Sequence, residues 1–288
     1  MNTIGLVVNS SKGEISDHVR RVVSWLTEQN IKVLFNEESA ALLGRQGEGM
    51  PTRTLAEKCD CIMVWGGDGT LLNCARQTAA TGTPIFGVNL GRLGFLTEID
   101  IPDLREKMQA LIAGHYIVEE RMMLEAAVIR DGEIIDNSVC LNDAVVSKGA
   151  SFRMVHLNIK VNGEFVGGFS ADGVIVASPT GSTAYSLSAG GPIVSPDVHV
   201  MLITPISPHS LSNRPLVISP DSEVEIRVLP CVDDVRLNLD GQYGFPLKAG
   251  DRVLVNKAPM KARFLKIQKT AFYEVLREKL KEWQSGLD

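Results

Sequence analysis

Cys61-Ile62-Met63-Val64-Trp65-Gly66-Gly67-Asp68-Gly69-Thr70 is the stretch on which the reading of this chain turns. An apolar run, a glycine-rich turn and a helical pattern from Leu71 to Ala80 follow one another directly. A buried strand that passes through glycines into a helix is the unit from which parallel sheets are built. Outward from it, Thr3 to Asn9 and Ile31 to Asn36 read as strands. Between them a helix from Ile15 to Gln29 carries Val19, Val22, Val23 and Leu26 on one side. Pro84 to Asn89 is a fourth strand, and Leu104 to Ala113 a further helix closed by Gly114. Such sheets bind ligands at the carboxyl ends of their strands, which is where the glycine turn falls.

Near residue 120 the period changes to two. Val155, Leu157, Ile159 and Val161 alternate with His156, Asn158 and Lys160, and Asn162-Gly163 then supplies a two-residue hairpin turn. Asp131-Gly132 does the same between Leu124–Arg130 and Glu133–Val139. Val224, Ile226 and Val228 alternate, as do Val235, Leu237 and Leu239. This half is expected to be antiparallel β with one face buried. A last helix, Thr270 to Gln284, sets Phe272, Val275, Leu276, Leu280 and Trp283 at helical spacing, so one face must dock. The expected architecture is α/β: a Rossmann-like parallel-sheet domain (residues 1–120), an all-β antiparallel domain (121–265), and a C-terminal segment (266–288) whose helix packs back on the first.

The length of 288 residues supports one large or two medium domains at about 150 residues each. Lys and Arg number 29 against 34 Asp and Glu, a net charge of -5, and no basic run appears. That balance argues against holding nucleic acid by bulk positive charge. Apolar runs are too short for a membrane span of about 20 residues. Met1-Asn2-Thr3-Ile4 does not read as a secretion signal, so the expected compartment is the cytoplasm. Five cysteines, an odd number, do not suggest a disulfide framework, and Cys59 and Cys61 are expected to be strand-edge thiols. The five histidines (His18, His115, His156, His199, His209) show no metal spacing. His209-Ser210 with Asp221 lacks the G-x-S-x-G elbow of a hydrolase.

Two stretches carry chemistry. In Gly66-Gly67-Asp68-Gly69-Thr70 the glycines let backbone N–H groups approach a ligand, and the helix start favours anions, so Gly66, Gly67, Gly69 and Thr70 are expected to hold phosphate. Neither a P-loop nor G-x-G-x-x-G is formed. One acid inside a phosphate cradle needs a hydroxyl or a cation beside it, so Asp68 is a candidate for orienting an attacking hydroxyl or meeting magnesium. A bare turn in which Asp68 caps the helix at Thr70 is the plainer alternative. The second stretch, Ser178-Pro179-Thr180-Gly181-Ser182-Thr183-Ala184-Tyr185-Ser186-Leu187-Ser188, has seven hydroxyl side chains in eleven residues. Small residues leave room for a flat ligand, hydroxyls suit ribose, and Tyr185 can stack on a base. An ordinary strand–turn–helix with Ser/Thr capping is the alternative here.

The G-G-D-G-[TS] turn resembles that of phosphofructokinase-like, diacylglycerol/sphingosine-type and NAD kinases. The Ser178–Ser188 run with Asp172-Gly173-Val174, the Leu141-Asn142-Asp143-Ala144 segment and Gly91-Arg92-Leu93-Gly94-Phe95-Leu96 extend the resemblance, in order, to the bacterial-type NAD kinase family alone. The resemblance implies transfer of the ATP γ-phosphoryl to the 2′-hydroxyl of the adenosine ribose of NAD. Asp68 matches the acid that accepts the hydroxyl proton, with Gly69 beside it. Asn142, Asp143, Arg153, Asp172, Thr183, Ala184, Tyr185, Ser186, Leu187, Ser188 and Gln242 match dinucleotide contacts. At Ser170 some members have arginine. A divalent ion (Mg²⁺ or Mn²⁺) is implied with ATP, without a side-chain metal cage, and a homodimer or homotetramer is implied as the assembly. A lipid or sugar kinase on the same scaffold would need a different mouth from the small polar Ser178–Ser188 run. A non-catalytic dinucleotide sensor would tolerate loss of Asp68, which is kept.

Overall fold

A computed structural model describes residues 1–9, 15–90, 94–97, 99–150, 153–210, 213–230, 234–267 and 272–285, without the side chains of 282–285. The chain divides into two units, Met1–Glu120 with Ala262–Asp288, and Arg121–Lys261.

In the first unit, Cys61–Gly66 is buried along its whole length and is flanked in parallel by Thr3–Val8 and Ile85–Asn89. Lys32–Asn36 and then Gly49–Met50 extend the sheet beyond Thr3–Val8. On the other side, Phe264 and the short strand Ile99–Asp100 both pair in parallel with Ile85–Asn89. A strand covered on both faces reads as an unbroken apolar run, which is why these strands were readable. Helix Ser16–Glu28 buries Val19, Val23 and Leu26, a three- and four-residue spacing that makes one stripe. Leu104–Ile112 does the same with Leu104, Met108 and Leu111. Both stripes join the cluster of Ile4, Leu6, Met63, Trp65, Phe86 and Val88.

Three local features depart from the sequence reading. The helix after the glycine turn starts at Asp68 rather than Leu71 and ends at Thr78, followed by a 3₁₀ turn over Ala79–Thr81. Two six-residue helices, Glu37–Leu42 and Thr52–Glu57, stand where no element was expected. The first is capped by Asn36, whose side chain accepts from the Ser39 N–H at 3.0 Å. Helix Phe272–Ser285 groups with the first unit, with Phe272, Val275 and Leu276 half-buried. Thr270 and the Trp283 side chain lie outside what is described.

The second unit is antiparallel. Six strands run in the order Leu216–Ile218, Met201–Ile206, Gly173–Ala177, Asp143–Lys148, Val235–Leu239, Tyr243–Leu247. Glu164–Ala171, Val155–Val161, Val224–Val228 and residues 252–255 form a second antiparallel series, and Ile117–Arg130 pairs with Glu133–Cys140. The alternating residues Val155, Leu157, Ile159, Val224, Ile226, Val228, Val235, Leu237 and Leu239 all enter one buried cluster. Asn162-Gly163 (φ 52°, 81°) and Asp131-Gly132 (φ 52°, 89°) make the expected hairpin turns.

One ion pair anchors this unit. Arg130 donates through Nε (2.9 Å) and Nη2 (2.7 Å) to the two oxygens of Asp251, which also accepts the Lys248 N–H at 2.7 Å. Asp251 is 2% exposed. Burial pushes its carboxyl up, but the Arg130 guanidinium and the Lys248 N–H outweigh burial and hold it below the usual carboxylate range. A depressed carboxyl contributes stability above its unfolded pKa, which is lost as pH falls through the folded one. Asp251→Ala leaves Arg130 without its carboxylate, with the Pro246 carbonyl at 3.4 Å from Nη2 still in place, and costs about 2–3 kcal/mol, less than a fully buried pair because Arg130 also meets solvent. Urea unfolding at pH 7 reads this loss, and the gap to the parent narrows in acid. An unchanged midpoint at pH 7 removes the anchoring role.

Candidate active site

The candidate residues fall on both units. On the first, strand Cys61–Gly66 delivers the chain to Gly67, which is extended (φ -98°, ψ -172°), and Asp68 is the first residue of an eleven-residue helix. The Thr70 and Leu71 N–H groups return to the Gly67 carbonyl at 3.0 and 3.3 Å. Asn9 Nδ2 donates to the Thr70 hydroxyl at 3.2 Å and ties the turn to the end of the first strand. The alternative in which Asp68 caps this helix is not what forms, since no side chain caps it. Instead the Asp68 carboxylate accepts from the Phe95 N–H at 2.8 Å and the Leu96 N–H at 3.1 Å. Gly94 lies so close that a Cβ there would fall on the Asp68 carboxylate. Two of the separate sequence motifs therefore meet at one side chain. Gly91, Arg92 and Leu93 lie outside the described residues.

A carboxylate has about four acceptor directions. Two backbone donors orient Asp68 and leave capacity for a ligand hydroxyl. The side chain is half-buried. It stands at a helix start, where the macrodipole and the first N–H groups favour an anion such as phosphate.

On the second unit, Asn142 and Asp143 sit where strand Asp143–Lys148 begins. The Asn142 carbonyl accepts the Ser178 N–H at 2.8 Å, and the Ser178 hydroxyl donates to the Leu141 carbonyl at 2.5 Å. At Gly181 a Cβ would overlap the Asn142 carbonyl, so only glycine allows the Ser178–Ser188 run to lie this close. The structure thus joins the Asn142-Asp143 pair to the hydroxyl-rich run. Asp143 is 4% exposed. Burial first, and then the charge of Asp240, push its carboxyl up to about 7.

Asp240 was not singled out in the sequence. It opens an Asp240-Gly241 turn (φ 52°, 66°) between Val235–Leu239 and Tyr243–Leu247, the same hairpin signal that was read elsewhere in the chain. Its carboxylate accepts the N–H groups of Leu141, Asn142 and Asp143 at 3.0, 2.7 and 3.3 Å. Gln242, exposed, closes the same turn, its N–H on the Leu239 carbonyl at 3.0 Å.

The hydroxyl-rich run splits by direction. Thr180–Thr183 is a 3₁₀ turn and Tyr185–Ser188 one helical turn. Ser182 donates to the Pro179 carbonyl at 2.7 Å and accepts the Val194 N–H at 3.0 Å. Ser186 is fully buried, its hydroxyl 2.9 Å from that of Thr204. These two side chains serve the fold, which changes the reading of Ser186 as a ligand contact. Tyr185 (46% exposed) and Ser188 face outward, with Thr183, Ala184 and Leu187 half-buried.

Asp172 is not brought to Asn142 and Asp143. The paired strands run Gly173 opposite Ser147 and Ala177 opposite Asp143, so Asp172 lies at the far end of them. Four residues of strand separate these ends by about 14 Å. There Asp172 forms an ion pair with Lys148 at 2.6 Å, a partner the sequence reading missed. Ser170, where some family members carry arginine, holds its hydroxyl 2.5 Å from His156 Nδ1. Arg153 is exposed nearby in sequence, following two residues outside the description.

Other candidate chemistries find little support. Asp221 is taken by Lys257 at 3.0 Å, away from any triad role with His209. Cys59, Cys61, Cys74 and Cys140 are free thiols, and Cys231 lies outside the described residues. Burial pushes Cys59 and Cys74 up to about 12, which keeps them protonated and unreactive. No helix among the described residues is long and apolar enough to cross a membrane.

Comparison with known proteins gives the family. Residues 4–116 match the model of the ATP-NAD kinase N-terminal domain, and residues 141–267 that of the ATP-NAD kinase C-terminal domain. The NAD kinase of Desulforamulus reducens is 77% identical over 288 residues, the whole of both chains. That of Heliobacterium modesticaldum is 46% identical, covering 98% of this chain and 99% of its own. The crystal structure of yeast NADH kinase complexed with NADH is similar with a TM-score of 0.85 at 28% identity, over 94% of this chain and 84% of that one. The chain belongs to the ATP-NAD kinase family.

Proposed function

We propose that this protein is an NAD kinase that moves the γ-phosphoryl of ATP to the 2′-hydroxyl of the adenosine ribose of NAD, giving NADP and ADP. The observation that carries the mechanism is the Asp68 carboxylate, aimed by the Phe95 and Leu96 N–H groups at the start of a helix. In the reaction the ribose O2′ forms a bond to Pγ while the bond from Pγ to the β,γ-bridging oxygen breaks. The hydroxyl proton passes to Asp68. A carboxylate is too weak a base to remove that proton beforehand, so it accepts it late in a loose transition state while holding the oxygen in line.

The glycine amides at the turn Gly66–Thr70 and the Thr70 hydroxyl donate to phosphate oxygens, the Thr70 N–H itself being on the Gly67 carbonyl. A divalent ion, Mg²⁺ or Mn²⁺, supplies charge neutralisation on the ATP phosphates when bound. That ion is expected to arrive with the nucleotide rather than in a cage of side chains. On the second unit Asn142, Asp143, Thr183, Ala184, Tyr185, Leu187, Ser188 and Gln242 contact the dinucleotide, and Arg153 is a further polar contact. Asp172, at the far end of its strand, contacts a separate part of the ligand.

Incubation with ATP, magnesium and NAD, followed by detection of NADP, tests the reading. Bound NAD without NADP would instead make the chain a sensor, and phosphorylation of a lipid or sugar alone would make it a different kinase. We further infer from the family resemblance a cytoplasmic homodimer or homotetramer. Sedimentation velocity is expected to give two or four times the monomer mass, and a monomer at working concentration would remove that assembly.

A further inference from the structure

We propose that Asp240 is a positioning residue for dinucleotide binding, holding the backbone of Leu141, Asn142 and Asp143 so that the Asn142 and Asp143 side chains meet the ligand. The inference rests on the NAD kinase reading and deepens it. Three successive N–H groups converge on this one carboxylate, at 3.0, 2.7 and 3.3 Å. The Asp240 N–H returns to the Asp143 carbonyl at 3.0 Å, so the two segments are bonded in both directions. Asn142 is fixed on its other side as well, by the Ser178 N–H on its carbonyl. With its backbone held at both ends, its half-buried side chain is the part left to face a ligand.

Turn geometry does not require this arrangement. Asp131-Gly132 also turns a hairpin with its aspartate at the same φ of 52°, and Asp131 is exposed. Asp240 is 9% exposed, and its charge lies against Asp143, a second buried carboxylate. A buried carboxylate beside another acid is costly to the fold unless hydrogen bonds satisfy it. The three amides supply those bonds, and what they secure is the segment that carries both proposed contacts. The same hairpin carries Gln242, so one side chain registers three proposed ligand contacts on a single scaffold.

The test uses full-length Asp240→Asn and Asp240→Ala. Asparagine keeps one acceptor oxygen for the Asn142 and Asp143 N–H groups and gives up the Leu141 bond. Alanine gives up all three. The expected result is faster hydrogen exchange at the amides of residues 141–143 and a KM for NAD raised about tenfold or more, alanine above asparagine. The KM for ATP stays within about twofold, since the loss is in dinucleotide binding. Calorimetric titration with NAD alone reads the same weakening without turnover. If the parent bound NAD but formed no NADP, the kinase reading would fail while the titration and exchange still judged Asp240. Should Asp240→Ala fail to fold, Asp240→Asn carries the comparison. Unchanged exchange at 141–143, or faster exchange with NAD affinity unchanged, overturns the proposal. So does an equal rise of both KM values, which would mark general loosening.

Discussion

Asp68→Asn lowers turnover by about 10²- to 10⁴-fold, the contribution of a positioned proton acceptor, while the KM values for NAD and ATP move only a few-fold. The substitution is nearly isosteric, so the helix start at Asp68 and the turn before it persist. One amide oxygen can still accept the Phe95 or Leu96 N–H. The other position becomes an NH₂ that faces a second donor, so the hold on residues 94–97 weakens by about 1–2 kcal/mol. What disappears is the ability to take the 2′-hydroxyl proton as the bond to phosphorus forms. Steady-state rates of NADP formation in both proteins, with thermal unfolding as a control, separate the two effects. A variant with parental turnover would move the proton acceptor elsewhere. A variant whose loss lay wholly in KM would make Asp68 a binding residue.

The interaction that orients Asp68 shows where sequence reading stops. The strand, the glycine turn and the acid were readable because they are contiguous, and because a strand buried on both faces is apolar throughout. The partners of Asp68 stand 27 and 28 residues further on and are backbone N–H groups, which any sequence would offer. Asp240 is a stronger case, since its acceptors' donors lie 97 to 99 residues before it. Its turn was legible as Asp-Gly between alternating strands, but nothing local says where the carboxylate points. Ser186 shows the opposite limit. Counting hydroxyls identified the segment, yet a single helical turn aims successive side chains in all directions, and this one faces Thr204. Glu37–Leu42 and Thr52–Glu57 were missed because six residues are too few to display a period of 3.6. The Asn36 cap was the available signal for the first. The separation of Asp172 from Asp143 depends on antiparallel register, which is a property of pairing and not of spacing along the chain.

Asp143→Asn is expected to make the protein more stable and a poorer enzyme, with a stability gain that is absent at pH 4, grows above it and is complete above pH 7. In the folded chain burial, and then the Asp240 charge, raise the Asp143 carboxyl from its ordinary value of 3.8 to about 7. Between those values the folded state keeps a proton that the unfolded chain has released. Stability from this group is therefore complete below pH 4 and is lost as pH rises through 7. The loss is on the order of a few kcal/mol, since each pKa unit corresponds to about 1.4 kcal/mol. Asparagine resembles the protonated acid and does not titrate, so the variant escapes the decline. Thermal unfolding should show the two proteins alike at pH 4 and the variant ahead by several degrees at pH 8. All other carboxylates are common to both, so the difference isolates this group. Binding moves the other way. If Asp143 accepts hydrogen bonds from the dinucleotide, the amide presents one acceptor oxygen and no charge, and the KM for NAD rises about tenfold or more. The parent's KM for NAD should also vary across pH 7 as the carboxyl ionises, whereas the variant's should not. A stability gap equal at pH 5 and pH 8 would refute the buried-charge account. A gap that opens as expected, with NAD affinity unchanged, would leave Asp143 as a costly buried acid without a part in binding. The fold bears that cost at neutral pH, and under the proposed function the anion's contact with the dinucleotide is what it gains.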